Sequence, residues 1–353
     1  MSHHCTIAII GGSFAGLSAL LKLRKRLWET ITIKLFDIRD RFTHIPALHE
    51  AILDTGYLQK IQFSLAAYYP REFIHEKVVA IKPGELTTAS GTIRTFDYAV
   101  IATGSRTNFF NNEQFRENAY TVAYPEDIPE LNAALPNAKT ITVVGGWYTG
   151  IEIASIIAER KKPHQKLRVI HARDRLFNRL SQHISDIAIH RLHRHDVEVI
   201  LNTKVEAIYD TALTLPGGQE LPSDVTIAAR WIQANDEAHS PRLTFDGEYQ
   251  SLESDRIYMC GDVATHGLLT TAHNAMIEGR RIGDLIADQI QKHTQSYPAV
   301  TNRDKLAIAL WSYDGIFTNG QKGVYVPKVL GIAKRVITKR VLFEFTKKVM
   351  IPV

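Results

Sequence analysis

Cysteine is almost missing: the 353 residues hold two, Cys5 and Cys260, and neither belongs to a C-x-x-C pair or to a pattern of metal-ligand spacing. This argues against thiol-disulfide chemistry and for a reducing compartment. Long apolar runs are missing too, since none approaches the roughly 20 residues of a membrane-spanning helix. The apolar run from Cys5 to Ile10 starts almost at the N-terminus and leaves no room for a secretory leader, so the expected compartment is the cytoplasm. A strong excess of one charge is absent as well. A formal charge of +5 over this length is no nucleic-acid signature, and where the charge sits matters more than its total. Among 15 histidines, His190, His193 and His195 interleave with Arg191 and Arg194, which reads as a solvated basic helix end rather than a metal site.

What is present is an apolar fraction of 45%, enough to bury a large core and to make two or three domains the default expectation. Short Ile- and Val-rich runs alternate with longer amphipathic stretches: CTIAII, ITIKLF, DYAVIATG, TITVVGG, LRVI, VEVI and RIYMCGD. Such alternation predicts βαβ units with parallel sheets, hence an α/β fold. The strands ending at Ile10 and Val144 each run into a Gly-rich turn and then a helical pattern, so two Rossmann-like units are expected. The boundaries read from composition give a discontinuous first domain, residues 1–124 and 240–300, a second domain, 125–239, and a C-terminal module, 301–353.

The segment from Ile7 to Leu20 reads IAIIGGSFAGLSAL. Gly11, Ser13 and Gly16 take the three positions of a G-x-G-x-x-G turn, which needs a tight bend, close approach of backbone to pyrophosphate and close packing of helix on strand. Gly12, Phe14 and Ala15 complete the turn. Asp37, 21 residues after Gly16 at the end of the next strand, can accept from ribose hydroxyls. Two later turns join these: Ala102-Thr103-Gly104 closes DYAVI, and Cys260-Gly261-Asp262 closes RIYM.

On these residues the sequence resembles the two-dinucleotide-binding-domain flavoproteins over roughly residues 5–290. The resemblance implies an FAD-binding and an NAD(P)-binding Rossmann-like domain with a small C-terminal module. It implies that Asp262 binds the ribityl or pyrophosphate part of FAD, and that a helix starting near Thr271, Ala272 and His273 aims its N-terminus at the flavin, where a positive helix end stabilises negative charge. The plain alternative for these residues is a turn and a helix start. Val79 is counted with the cofactor-binding set. Within the family, G-G-x-x-T-G-I-E at Gly145 to Glu152 and FTHIPALHEAILDTG after Asp37 are similar to type II NADH dehydrogenases and apoptosis-inducing-factor-like quinone reductases, including the ferroptosis suppressor. That branch uses no catalytic cysteine. It implies hydride transfer from nicotinamide to flavin N5 and onward reduction of a quinone, with Glu152 and His273 near the reacting groups. For Glu152 the plain alternative is a favourable charge at a helix N-terminus.

The second turn departs from the pattern. Gly145 and Gly150 are present, but Trp147 stands where a small residue is usual, and Ala229-Arg230-Trp231 replaces a small turn. Two tryptophans there can stack on the nicotinamide cofactor or block it. The ribose-recognition position falls on His171 rather than on an acid, with Arg173 and Arg175 close behind, which admits the 2′-phosphate of NADPH. From Gln321 onward, Lys322, Lys328, Lys334, Arg335, Lys339, Arg340, Lys347 and Lys348 face one acid, Glu344, between apolar residues. This reads as a basic amphipathic module suited to an anionic membrane surface and a lipid-soluble quinone, or to packing on the flavin domain or a partner subunit in a homodimer. The expected activity is an FAD-dependent NAD(P)H:quinone oxidoreductase. A soluble rubredoxin- or ferredoxin-type reductase and a flavin-binding sensor with a degenerate nicotinamide site are the alternatives.

Overall fold

A computed structural model describes residues 4–27, 30–54, 56–109, 112–229, 232–235, 250–251, 254–264, 270–293, 295, 305–312, 314–319 and 322–347. Arg230 and Trp231 lie outside the described residues.

All seven runs singled out in the sequence form strands, and together with two others they build two parallel sheets. The first sheet runs Ile257–Met259, Tyr98–Ile101, Cys5–Ile10, Ile31–Asp37, Phe73–His75. All four of its pairings are parallel. The second runs Val197–Ile200, Lys166–Ile170, Thr140–Val144, Val225–Ala228, again parallel throughout. In each sheet the first strand in the chain lies between its successor and a later strand. The strand order therefore reverses at its carboxyl end, the place where open α/β sheets hold ligands.

Parallel strands are covered on both faces, and Ile7 to Ile10 are accordingly all buried. Helix Phe14–Leu27 covers the first sheet and is crossed by helix Ala272–Gln291 at very short range. A Cβ on Gly279 would sit 2.0 Å from the Ala15 carbonyl oxygen, and one on Gly283 would sit 2.8 Å from Lys22 Cβ. Only glycine lets the two backbones come this close.

The C-terminal residues form a three-stranded antiparallel sheet, Lys305–Leu310, Asp314–Asn319 and Lys322–Val326, followed by helix Leu330–Thr346. Two of the basic residues of this segment turn inward, in keeping with packing on the flavin domain. Lys334 is buried against Glu152, and Arg335 reaches back to Glu50. Phe345, 1% exposed, meets Phe14 and Phe42 edge-on, and its carbonyl accepts from the Tyr69 hydroxyl at 2.5 Å. The helix is thus pinned to the first domain along one side. Its other side exposes Val329, Ile332, Val336, Ile337 and Phe343 beside Lys339 and Arg340. Among the described residues no helix is long and apolar enough to cross a membrane.

Candidate dinucleotide and redox site

The two Gly-rich turns repeat the same steric logic. Gly11 has φ +110, and a Cβ on it would lie 2.1 Å from the Ala102 carbonyl oxygen. Gly16 packs so close that its Cβ would be 1.9 Å from the Gly11 carbonyl oxygen. In the second unit Gly145 has φ +130, and a Cβ on Gly150 would be 2.0 Å from the Gly145 carbonyl oxygen. Each turn delivers the chain into a helix, Phe14–Leu27 or Tyr148–Arg160, whose first amides have no carbonyl partner within the helix. Those amides and the helix dipole favour a phosphate, so the residues present fit a dinucleotide pyrophosphate.

The groups behind the turns are equally parallel and differ in charge. Asp37 Oδ2 accepts from Gly12 N–H at 2.5 Å and Oδ1 from Arg39 N–H at 2.8 Å. Burial raises the Asp37 carboxyl above its ordinary range, opposed by those two amides and by the Arg39 charge. In the second unit His171, 2% exposed, holds the matching place, and its Nδ1 accepts from Gly146 N–H at 3.1 Å. The first turn is thus backed by an acid, and the second by an imidazole. Arg173 is exposed, and its carbonyl accepts from Asn202 N–H. Arg175 is tied to the Asn178 carbonyl at 3.1 Å. Arg179, not singled out in the sequence, stands 5.8 Å over the Trp147 ring. Trp147 keeps an ordinary extended backbone, φ −91, at the start of its helix, so the bulky residue leaves the turn intact.

At the other edge of the first turn, Gly104 has φ +72 with nothing within 4 Å of where a side chain would begin. Thr103 Oγ1 donates to the Asn235 carbonyl at 2.7 Å. Asp262, half-buried, accepts from Ser105 Oγ at 3.0 Å, and burial raises its carboxyl. Thr271 caps helix Ala272–Gln291 by accepting from Asn274 N–H, while His273 is exposed on its first turn. Val79 is the bulged residue between Val78 and Ala80, 37% exposed. Burial pushes the Cys5 thiol up to about 11 and the Cys260 thiol well above its usual value, the reverse of a reactive thiolate.

Glu152 lies in the second turn of its helix rather than the first, so the helix dipole is not its main partner. It is 9% exposed, pairs with Lys334 Nζ and accepts from Ala309 N–H at 2.9 Å. Burial raises its carboxyl, and Lys334 opposes that rise. His49 Nδ1 is 3.7 Å away, but burial and then Lys334, Arg160 and Arg335 hold this imidazole well below its ordinary value, so the contact is with a neutral ring. Beside it Glu50 receives Arg335 at 3.1 Å. The Glu50 and Ile52 carbonyls accept from Arg160. Lys334, Arg160 and Arg335 therefore draw the FTHIPALHEAI segment, the second domain and the C-terminal helix onto one buried cluster.

His44, 4% exposed in the same segment, is held down to about 4 by burial first and the Lys334 charge second. The unfolded chain takes up this proton below about 6.5, and the folded chain resists it. Stability from this group is therefore complete above the unfolded value and is lost as pH falls toward the folded one. Asp37, Asp262 and Glu152 act in the opposite sense. Comparing the wild type with His44→Asn isolates the histidine: the loss of urea stability from pH 7 to pH 5 should be smaller in the variant by about 2 kcal/mol. Equal losses would show that His44 is protonated as easily folded as unfolded.

Comparison with known proteins agrees with this geometry. The family model for pyridine nucleotide-disulphide oxidoreductase matches residues 5–279. The chain is 26% identical over 283 residues to ferroptosis suppressor protein 1 of Taeniopygia guttata, covering 73% of this chain and 74% of that one. Among solved structures it is similar to the sulfide:quinone oxidoreductase of Aquifex aeolicus, with a TM-score of 0.84 at 20% identity over 97% of this chain and 92% of the other. It is also similar to NDH2 of Plasmodium falciparum in complex with NADH, with a TM-score of 0.83 at 14% identity over 98% and 96%.

Proposed function

The chain belongs to the pyridine nucleotide-disulphide oxidoreductase family, and on that premise we propose that it is an FAD-dependent NAD(P)H:quinone oxidoreductase of the non-disulfide kind. The observation that carries this reading is the doubled turn, acid-backed in one unit and imidazole-backed in the other, with the buried Glu152–Lys334 pair on the second unit's helix and no activated thiol among the described residues. A relative named as a ferroptosis suppressor and structural neighbours named as a quinone oxidoreductase and as an NADH complex support the choice of partners.

FAD held in the first turn would supply the redox chemistry, as acceptor at N5 of a hydride from the nicotinamide and donor of electrons to the quinone. The residues of the chain hold and orient. Amides of Ser13 to Gly16 receive the FAD pyrophosphate beside Gly11 and Gly12, Asp37 its ribose, and Ala102 to Gly104 with Asp262 the stretch toward the flavin. Val79 borders the adenosine end. Thr271 and Ala272 direct a positive helix end at the flavin, and Glu152 and His273 face the reacting groups. Gly145 and Gly150 hold the nicotinamide dinucleotide. His171 in place of an acid, with Arg173 and Arg179 beyond it, leaves NADPH acceptable as well as NADH. The exposed apolar side of helix Leu330–Thr346, flanked by Lys339 and Arg340, supports peripheral contact with an anionic membrane, where a lipid-soluble quinone is met.

The test is turnover with defined acceptors. NAD(P)H consumption matched by reduction of a short-chain benzoquinone is expected, with FAD as the flavin released on denaturation. FMN in the extract would contradict the proposal, as would turnover with a ferredoxin-type protein and with no quinone.

A further inference from the structure

On the far side of Glu152 from the Gly-rich turn, a cleft of about 500 Å³ opens among Glu159, His195, Trp311, Asp314 and Lys328. Glu152, Ile156 and Glu159 follow at i, i+4 and i+7 along one helix face, so the cleft lies two helical turns from the buried pair. Its floor is a π surface: the His195 ring stacks on Trp311 at 4.3 Å and 28°. Trp311 is held at φ +60, is 9% exposed, and its Nε1 has no acceptor among the described residues. The same indole also borders a tight seam, too narrow to admit water, with His49, Glu50, Glu152, Ile156 and Ala309. Trp311 is thus the wall between the outer cleft and the Glu152 cluster.

The charges of the cleft are unequally committed. Glu159 Oε2 accepts from Ser312 N–H at 3.1 Å and from Ser312 Oγ at 2.7 Å. Asp314 accepts from Arg191 at 2.7 Å, from the Tyr325 hydroxyl at 2.6 Å and from Lys328 N–H at 2.9 Å. The exposed Lys328 ammonium has no acidic partner among the described residues. Asp314 is neutralised by Arg191 and Glu159 is tied to Ser312 through one oxygen, so the ring of His195 and the Lys328 ammonium are the groups offered to an aromatic anion.

We propose that this cleft is a second small-molecule site, taking a planar aromatic anion, and that its ligand modulates the Glu152–Lys334 pair through Trp311. A ring stacks on the outer face of His195, which itself lies on Trp311, while its anionic oxygen meets Lys328, and the volume is that of an ordinary ligand pocket. The path inward is short, because the Ala309 amide two residues before Trp311 is the one that donates to Glu152. The binding step stands on the cleft alone; the effect on turnover rests on the oxidoreductase reading above.

The test uses the oxidised holoenzyme and 1-hydroxy-2-naphthoate, a redox-inert planar carboxylate. Saturable quenching of tryptophan fluorescence with no change in the flavin spectrum is expected, weakened at least tenfold in His195→Ala and in Lys328→Glu, both exposed positions. At saturating probe the quinone reduction rate of the wild type should change at least twofold, and that of His195→Ala should not. Affinity equal in all three proteins overturns the site, as does quenching that tracks a flavin spectral shift. Binding without any change in rate overturns the coupling. A protein inactive toward quinones leaves the fluorescence result standing, which separates failure of the site from failure of the assigned reaction.

Discussion

Lys334→Ala should destabilise the folded chain by about 3–5 kcal/mol, the cost of leaving a buried charge without its partner. Glu152 is 9% exposed, and besides Lys334 it receives one backbone amide, from Ala309. Burial already pushes its carboxyl upward, so with the lysine gone it either stays charged at high cost or takes a proton. The double variant Lys334→Met, Glu152→Gln removes both charges at similar volume and should recover most of the loss, since a paired buried charge contributes little net stability of its own. Urea unfolding of the wild type, the single variant and the double variant at fixed flavin content tests the pairing. If the single and double variants lose equally, the pair is solvated in solution and the C-terminal helix is held by Phe345 and its neighbours instead.

The matched substitutions Gly16→Ala and Gly150→Ala should separate the two nucleotide sites. Each new Cβ would fall 1.9 or 2.0 Å from the carbonyl oxygen of the glycine that opens its own turn, so the turn must open in either case. Gly16→Ala is expected to purify largely without flavin. Gly150→Ala should keep FAD and bind the nicotinamide dinucleotide at least about tenfold more weakly, which is what about 1.4 kcal/mol of lost contact amounts to. Flavin content by absorbance and nicotinamide affinity by titration read the two effects separately. Loss of flavin from Gly150→Ala would contradict the assignment of the second turn.

The glycines and strands were legible because their causes are local. A turn that needs φ above +100 at Gly11 and contact distance at Gly16 can be written only in glycine, and short continuous apolar runs ending in glycine announce strands buried on both faces. Phe73–His75 and Val225–Ala228, the strands of the two parallel sheets not marked in advance, are short and lack a glycine signature. The redox cluster was half legible. Glu152 followed from its place after the second turn, but Lys334 lies 182 residues away, and Arg335 is 285 residues from Glu50. A lysine in an amphipathic helix reads as solvent-facing until a buried acid is known to await it. Trp311 and His195 meet for the same long-range reason, and a helix-end histidine among arginines gave no sign of an aromatic partner.

The central claim, that one chain holds a flavin and lets a nicotinamide reach it past Trp147, is tested most directly by anaerobic mixing of the FAD-loaded protein with NADH and with NADPH. Bleaching of the flavin absorbance by at least one of them, reversed on adding a quinone, is the expected result. A flavin that stays oxidised with both dinucleotides would mean that the second site no longer serves the first, and the oxidoreductase reading would fall in favour of a flavin-binding sensor.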